Sequence, residues 1–271
     1  MIQNNFTVID AHCHIYPEKI VDRAVAGTDA FYSTTAACRG VAEELIAIGD
    51  SVGIDRFVVQ SVATTPRQVE SINRFIAAEV EKAPERFTGL GSAHPDTVDQ
   101  TAMVEELLQL HLHGIKIHPD IQGFPIDDAR MMPLYALCQE RNLPILMHTG
   151  DHRYDYSNPN RLIPVLKAFP KLTVIGAHFG GWSVWDEASV ALCDMPNLYV
   201  DCSSTFPFAG GDLALGERLI ARYGAERVMF GSDFPMWSPV SELETFLQLR
   251  LSDEERQMIL SENAKKVYQI Q

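Results

Sequence analysis

Residues 143–180 read LPILMHTGDHRYDYSNPNRLIPVLKAFPKLTVIGAHFG. The stretch opens with a short apolar run ending in His148 and passes through a polar loop. A helical pattern, RLIPVLKAF, follows, and the stretch closes with a second apolar run that carries His178 near its end. The two runs start at Leu143 and Leu172, 29 residues apart, close to the ~30 residues of one strand–helix–strand unit. Both runs are apolar on each face, as parallel strands buried on both sides must be.

The unit repeats along the chain. FTVIDAHCH, DRFVVQSVA, RFTGLGSAHP, GIKIHP, LYVDCSST and RVMFGSDFP bring the number of such runs to eight, with starts 26 to 31 residues apart after a longer first gap. Helical patterns fill the intervals. Val69, Ile72, Ile76 and Val80 recur at the helical period, and Ser252 with Glu255 has the spacing of a capping box. Eight strand–helix units without a linker predict an α/β chain folded as a single (β/α)8 TIM barrel over residues 1–271. A doubly wound open sheet is the alternative, and the even spacing favours closure. The longer first gap predicts a loop excursion at about 18–40, either over the barrel mouth or an inert insertion.

Net charge is −14 with a pI near 5.0. Such a surface repels phosphate backbones, so nucleic acid is excluded as an expected partner. Five scattered cysteines without C-x-x-C point to a reducing compartment. MIQNNFTVID has no signal-peptide pattern, and no apolar run approaches the ~18 residues of a membrane span. The expectation is a cytoplasmic protein with a small-molecule substrate and no membrane partner; a homo-oligomer is left open.

Polar residues collect where the apolar runs end, the place where barrels of this kind carry reactive groups. The first run ends in His12 and His14, the fourth in Lys116 and His118, the fifth in His148, the sixth in His178 and the eighth in Asp233. Residues i and i+2 of a strand share a face, so His12 and His14 point the same way. Packing alone does not account for a ring of imidazoles at strand ends, because buried polar groups must be paired or ligating. Neutral imidazoles and a carboxylate suit a borderline divalent ion such as Zn²⁺. His12 and His14 are therefore read as two ligands of one ion.

Taken in order, IDAHCH, GIKIHP, LMHTG, VIGAHFGG, MFGSDFP and LSDEERQMILSENAKKVY make the chain resemble the amidohydrolase superfamily. The similarity is to the amidohydrolase-2 branch, related to aminocarboxymuconate-semialdehyde decarboxylase, and covers nearly the whole chain. The resemblance implies His12, His14, His148 and Asp233 as ligands of a tightly held metal. It implies His178 as the group that polarises substrate or water, and Asp233 as the proton acceptor. Lys116 is implied either as a site lysine beside one ion or, carboxylated, as a bridge between two; one ion is preferred. The expected chemistry is hydrolysis of an amide, ester or lactone on a carboxylate-bearing substrate by metal-activated water. The alternative is nonoxidative decarboxylation by similar machinery.

Substrate contacts are expected from the loops. Arg153 is placed to pair with a substrate carboxylate, with an ion pair to Asp151 or Asp155 as the plain alternative. His118 shares a face with Lys116, and Trp237 follows Asp233, so both are assigned to the pocket. Trp182 and Trp185 are read as wall or as helix packing, and the N–H groups of Gly180 and Gly181 as a weak anion cradle. Cys13 points away from the site by strand alternation.

Overall fold

The computed structural model describes residues 6–270. Residues 1–5, read above as lacking a signal-peptide pattern, and Gln271 lie outside the described residues. All strand pairs are parallel and follow chain order: β1 Ile9–His14, β2 Arg56–Gln60 and β3 Phe87–Gly89 in one sheet, then β4 Gly91–Ser92, β5 Ile115–Ile117, β6 Ile145–Met147, β7 Val174–Gly176, β8 Leu198–Asp201 and β9 Val228–Met229 in the other. β3 and β4 are two halves of one run, split at Leu90, whose N–H turns to Val59 O while Gly91 N–H turns to Gly114 O. The ring closes where Ala11 N–H reaches Phe230 O, His14 N–H reaches Phe234 O and Asp233 N–H reaches His12 O. Eight runs thus form one closed (β/α)8 barrel.

The interior is a packed core. Ile9, Ala11, Val58, Leu90, Leu146, Ile175 and Met229 fill it, with Val267 and Tyr268 of the C-terminal helix below. Each fully buried aliphatic side chain of this kind contributes about 1.5–3 kcal/mol. A second, larger cluster packs the outer faces of the strands against the helices, and Cys13, Ile115, Ile117, Ile145 and Met147 belong to it. Inner and outer residues therefore alternate, which turns Lys116 and His148 inward with Leu146.

β1 departs from simple alternation in a way that makes the site. Ile9 and Ala11 face inward, so His12 would face the helices if the pleat continued. The pairing with β2 slips by one residue between Asp10 and Cys13. This bulge re-aims the strand end and brings His12 and His14 to the mouth while Cys13 packs outside.

Two early helices line the mouth as well, α1 Val21–Tyr32 and α3 Val69–Lys82, with α2 Ala42–Val52 between them in sequence. α1 occupies the segment expected as a loop excursion, and its Phe31 and Tyr32 line the cavity above the strand ends.

Candidate active site

Three donor atoms converge at the strand ends. His12 Nε2 lies 3.2 Å from His14 Nε2 and 3.3 Å from Asp233 Oδ1, and His14 Nε2 lies 3.5 Å from the same oxygen. Donors bound at about 2.1 Å to one ion, at tetrahedral or octahedral angles, stand about 3.0–3.4 Å apart. The trio therefore fits the shell of a divalent ion, and His12, His14 and Asp233 form a group able to hold one. Asp233 reaches it from a left-handed backbone, φ 62°, a conformation that costs a non-glycine residue on the order of 1 kcal/mol or more.

Asp201, at the end of β8, organises two of the imidazoles and was missed from the sequence. Its Oδ2 accepts from His12 Nδ1–H at 2.9 Å, and its Oδ1 accepts from the N–H of His178 and the N–H and hydroxyl of Ser203. The proton on Nδ1 leaves the lone pair of His12 on Nε2, facing the other donors. The acid within LYVDCSST, at the end of an apolar run, is the available sequence signal.

Burial, and then the charge of Lys116, holds His12 well below the ordinary histidine range, and His14 likewise. Burial also brings His178 down to about 4. His178, at φ 57°, faces Ser203 O with Nδ1 at 2.9 Å, so that nitrogen carries the proton and Nε2 is an acceptor. Lys116 is 1% exposed and donates to His12 Nε2 at 3.0 Å. Burial pulls its ammonium down and pushes the Asp233 carboxyl up, towards each other.

The four expected metal ligands do not meet at one point. His148 belongs to a second group with His118 and Asp120. Its ring stacks on His118 at 4.0 Å and 7°, and its Nε2 is 3.5 Å from the Tyr32 hydroxyl and 3.7 Å from Asp120 Oδ2. Ile121 N–H donates to His118 Nδ1, which puts the proton of the neutral ring on Nε2 and makes the Tyr32 oxygen, 2.7 Å away, its acceptor. The phenol proton is then free for His148 or for a bound oxygen.

A cavity of about 480 Å³ opens above both groups, lined by His12, His14, Lys116, His118, His148, His178 and Asp233. Two expected substrate contacts need correction. Arg153 is not among the lining residues: Asp151 grips it through both oxygens at 2.7–3.3 Å, and it donates to Phe31 O at 2.7 Å. Its guanidinium lies over the rings of Phe31, Tyr32, Tyr154 and Trp182, so it braces the wall rather than gripping an acid. Trp237 is also absent from the lining. Its Nε1–H donates to Ser204 Oγ, which donates to Asp233 Oδ2 at 2.5 Å. Trp182 lines the cavity instead, with Phe31, Tyr32 and Phe208. The anion cradle fails, because Gly180 and Gly181 N–H are taken by Gly176, Ala177 and His178 carbonyls.

Comparison with known proteins places this geometry. A 2-amino-3-carboxymuconate-6-semialdehyde decarboxylase of Dictyostelium discoideum is 27% identical over 155 residues, 54% of this chain and 40% of that protein. This chain thus matches less than half the length of that relative. An uncharacterized TIM-barrel protein of Bordetella bronchiseptica superposes with a TM-score of 0.77 at 24% identity, covering 97% of this chain and 98% of the other. A dihydroxybenzoic acid decarboxylase of Polaromonas, solved with bound manganese and an inhibitor, superposes at 0.76 with 16% identity, covering 97% of each chain. The expectation of hydrolysis is corrected by these names: most of the similar proteins with a stated activity are decarboxylases, which favours carbon–carbon cleavage. The amidohydrolase family model matches residues 9–270, and this chain belongs to the amidohydrolase family.

Proposed function

We propose that the chain is a metal-dependent nonoxidative decarboxylase of an aromatic or otherwise unsaturated carboxylic acid. The observation that carries this is a junction. The trio His12, His14 and Asp233 lines the same cavity that the rings of Phe31, Tyr32, Trp182 and Phe208 enclose. A flat conjugated acid suits such walls, and the similarity to decarboxylases supports the same chemistry.

His12, His14 and Asp233 would hold one divalent ion of the manganese or zinc class, which would supply positive charge beside the oxygens of the substrate. His178 accepts a substrate hydroxyl proton at Nε2, since Nδ1 is committed to Ser203 O. The Tyr32 hydroxyl donates to a substrate oxygen. Asp233, carrying on its carboxyl a proton taken up from solvent, passes it to the carbon that bears the carboxylate, and Ser204 holds the carboxyl at Oδ2. The bond to the carboxylate then breaks, its electron pair completes the conjugated system, and CO₂ leaves.

The test is a panel of hydroxybenzoates and unsaturated acids in D₂O with the protein supplied with Mn²⁺ or Zn²⁺. Release of ¹³CO₂ from labelled carboxylate, with one deuterium at the vacated carbon, is expected. Turnover of esters, lactones or amides without any CO₂ from the acids overturns the proposal.

A further inference from the structure

The cavity continues from the donor trio along the facing sides of α1 and α3. Ala24 and Val25 of α1, and Ile72 and Phe75 of α3, line this extension, with Val62 between them in sequence. A cavity of roughly 150 Å³ holds one benzene ring, and the whole space here is about 480 Å³. There is room for a second ring-sized apolar group beside the one that reacts.

Two cations line this space, Lys116 and Arg23. Lys116 is 1% exposed and stands at the donor trio, 3.0 Å from His12 Nε2, so it serves the reacting end. Arg23 is exposed, and among the described residues only Arg23 and Arg67 are arginines without an ion pair or a hydrogen bond through the side chain. Arg67 is not among the lining residues. In a chain with 36 acidic and 22 basic residues, an arginine that lines a cavity and makes no ion pair is an available partner for an anion.

We infer that the substrate is an elongated acid with two anionic ends. The reacting carboxylate lies at His12, His14 and Asp233, an apolar middle lies between α1 and α3, and a second anionic group pairs with Arg23. This rests on the proposed decarboxylase site for the position of the reacting end, and its test reads binding rather than turnover.

Calorimetric titration of the manganese-loaded protein with benzoate, biphenyl-4-carboxylate and biphenyl-4,4′-dicarboxylate separates the parts. The biphenyl acid binds more tightly than benzoate, and the dicarboxylate a further three- to tenfold more tightly, the range for a partly solvated charge-assisted pair. Arg23→Gln removes the preference for the second carboxylate, Ile72→Trp removes the preference for the second ring, and Arg67→Gln keeps both. Each preference is a ratio within one protein, so a smaller folded fraction in a variant cancels. Equal binding of the three ligands, no binding of any, or an unchanged dicarboxylate preference in Arg23→Gln overturns the inference. If the preferences hold and no acid is decarboxylated, the decarboxylase reading falls alone. If small benzoates are decarboxylated and the preferences are absent, the two-ended substrate falls alone.

Discussion

His12 donates Nδ1–H to Asp201 across 2.9 Å, with both side chains fully buried. The bond sets the tautomer of His12 and turns its Nε2 lone pair towards His14 and Asp233. Losing such an outer partner typically lowers metal affinity 10–100-fold. Asp201→Asn keeps the size of the side chain and removes its charge. The expected result is a loss in that range, read by titrating Mn²⁺ or Zn²⁺ against a competing chelator. Wild-type affinity in the variant would show that Asp201 serves the backbone N–H groups of His178 and Ser203 alone.

Metal content separates the two groups of donors. One equivalent per chain is expected by elemental analysis, because the donors of His12, His14 and Asp233 stand at bonding separations. The His118–His148 pair is stacked face to face, and two parallel rings do not aim their lone pairs at one point. His12→Ala therefore loses the ion and His118→Ala keeps it. A second equivalent that vanishes in His118→Ala would assign an ion to the group with Asp120, whose Oδ2 has no hydrogen-bond partner among the described residues.

The barrel was legible because its signal is repeated: eight apolar runs at a nearly constant spacing favour a closed barrel over a doubly wound open sheet. The strand-end residues were legible for the same reason, since a polar group at the end of an apolar run stands out. What failed was direction. Arg153 lies in a loop, where sequence cannot say whether a guanidinium faces the cavity or an acid two residues away, and Asp151 won. His148 was placed with His12 and His14 by family pattern, while its stacking on His118 depends on long-range packing. Asp201 looked like any strand-end acid until its partners, the nearest 2 residues and the farthest 189 residues distant in sequence, came together. His12 and His14 share a face by alternation, but that face turns to the mouth only through a bulge that no alternation rule contains.

Arg153 is expected to act on Tyr32 rather than on the substrate. It ties the Phe31 carbonyl, at the end of α1, to Asp151 of the β6 loop. Arg153→Met releases that end while leaving the aromatic stack an apolar neighbour. Amide exchange should quicken over residues 28–34, and KM should rise about tenfold with a smaller change in kcat, as for a lost positioning contact. Tyr32→Phe should weaken substrate binding without quickening exchange. Unchanged exchange in Arg153→Met would remove the clasp as an explanation.

Glu242 ties stability to pH. It is 2% exposed, its Oε2 has no hydrogen-bond partner among the described residues, and burial first, then the charges of Asp10 and Asp233, push it up to about 9 from an ordinary 4.5. Below about pH 4.5 the acid is neutral in both folded and unfolded chains, and the favourable term is fully present. Between about 4.5 and 9 the unfolded chain ionises while the folded one keeps its proton, so this group's contribution is lost progressively as pH rises through that window. Glu242→Gln removes the titration. Its melting temperature should match wild type near pH 5 and exceed it at pH 8.5, with each kcal/mol of difference worth roughly 2–4 °C. Asp10, raised to about 6 by burial, titrates in both proteins and cancels from the difference. A gap that stays constant from pH 5 to 8.5 would mean that Glu242 is solvated or paired in the folded protein and bears no buried charge.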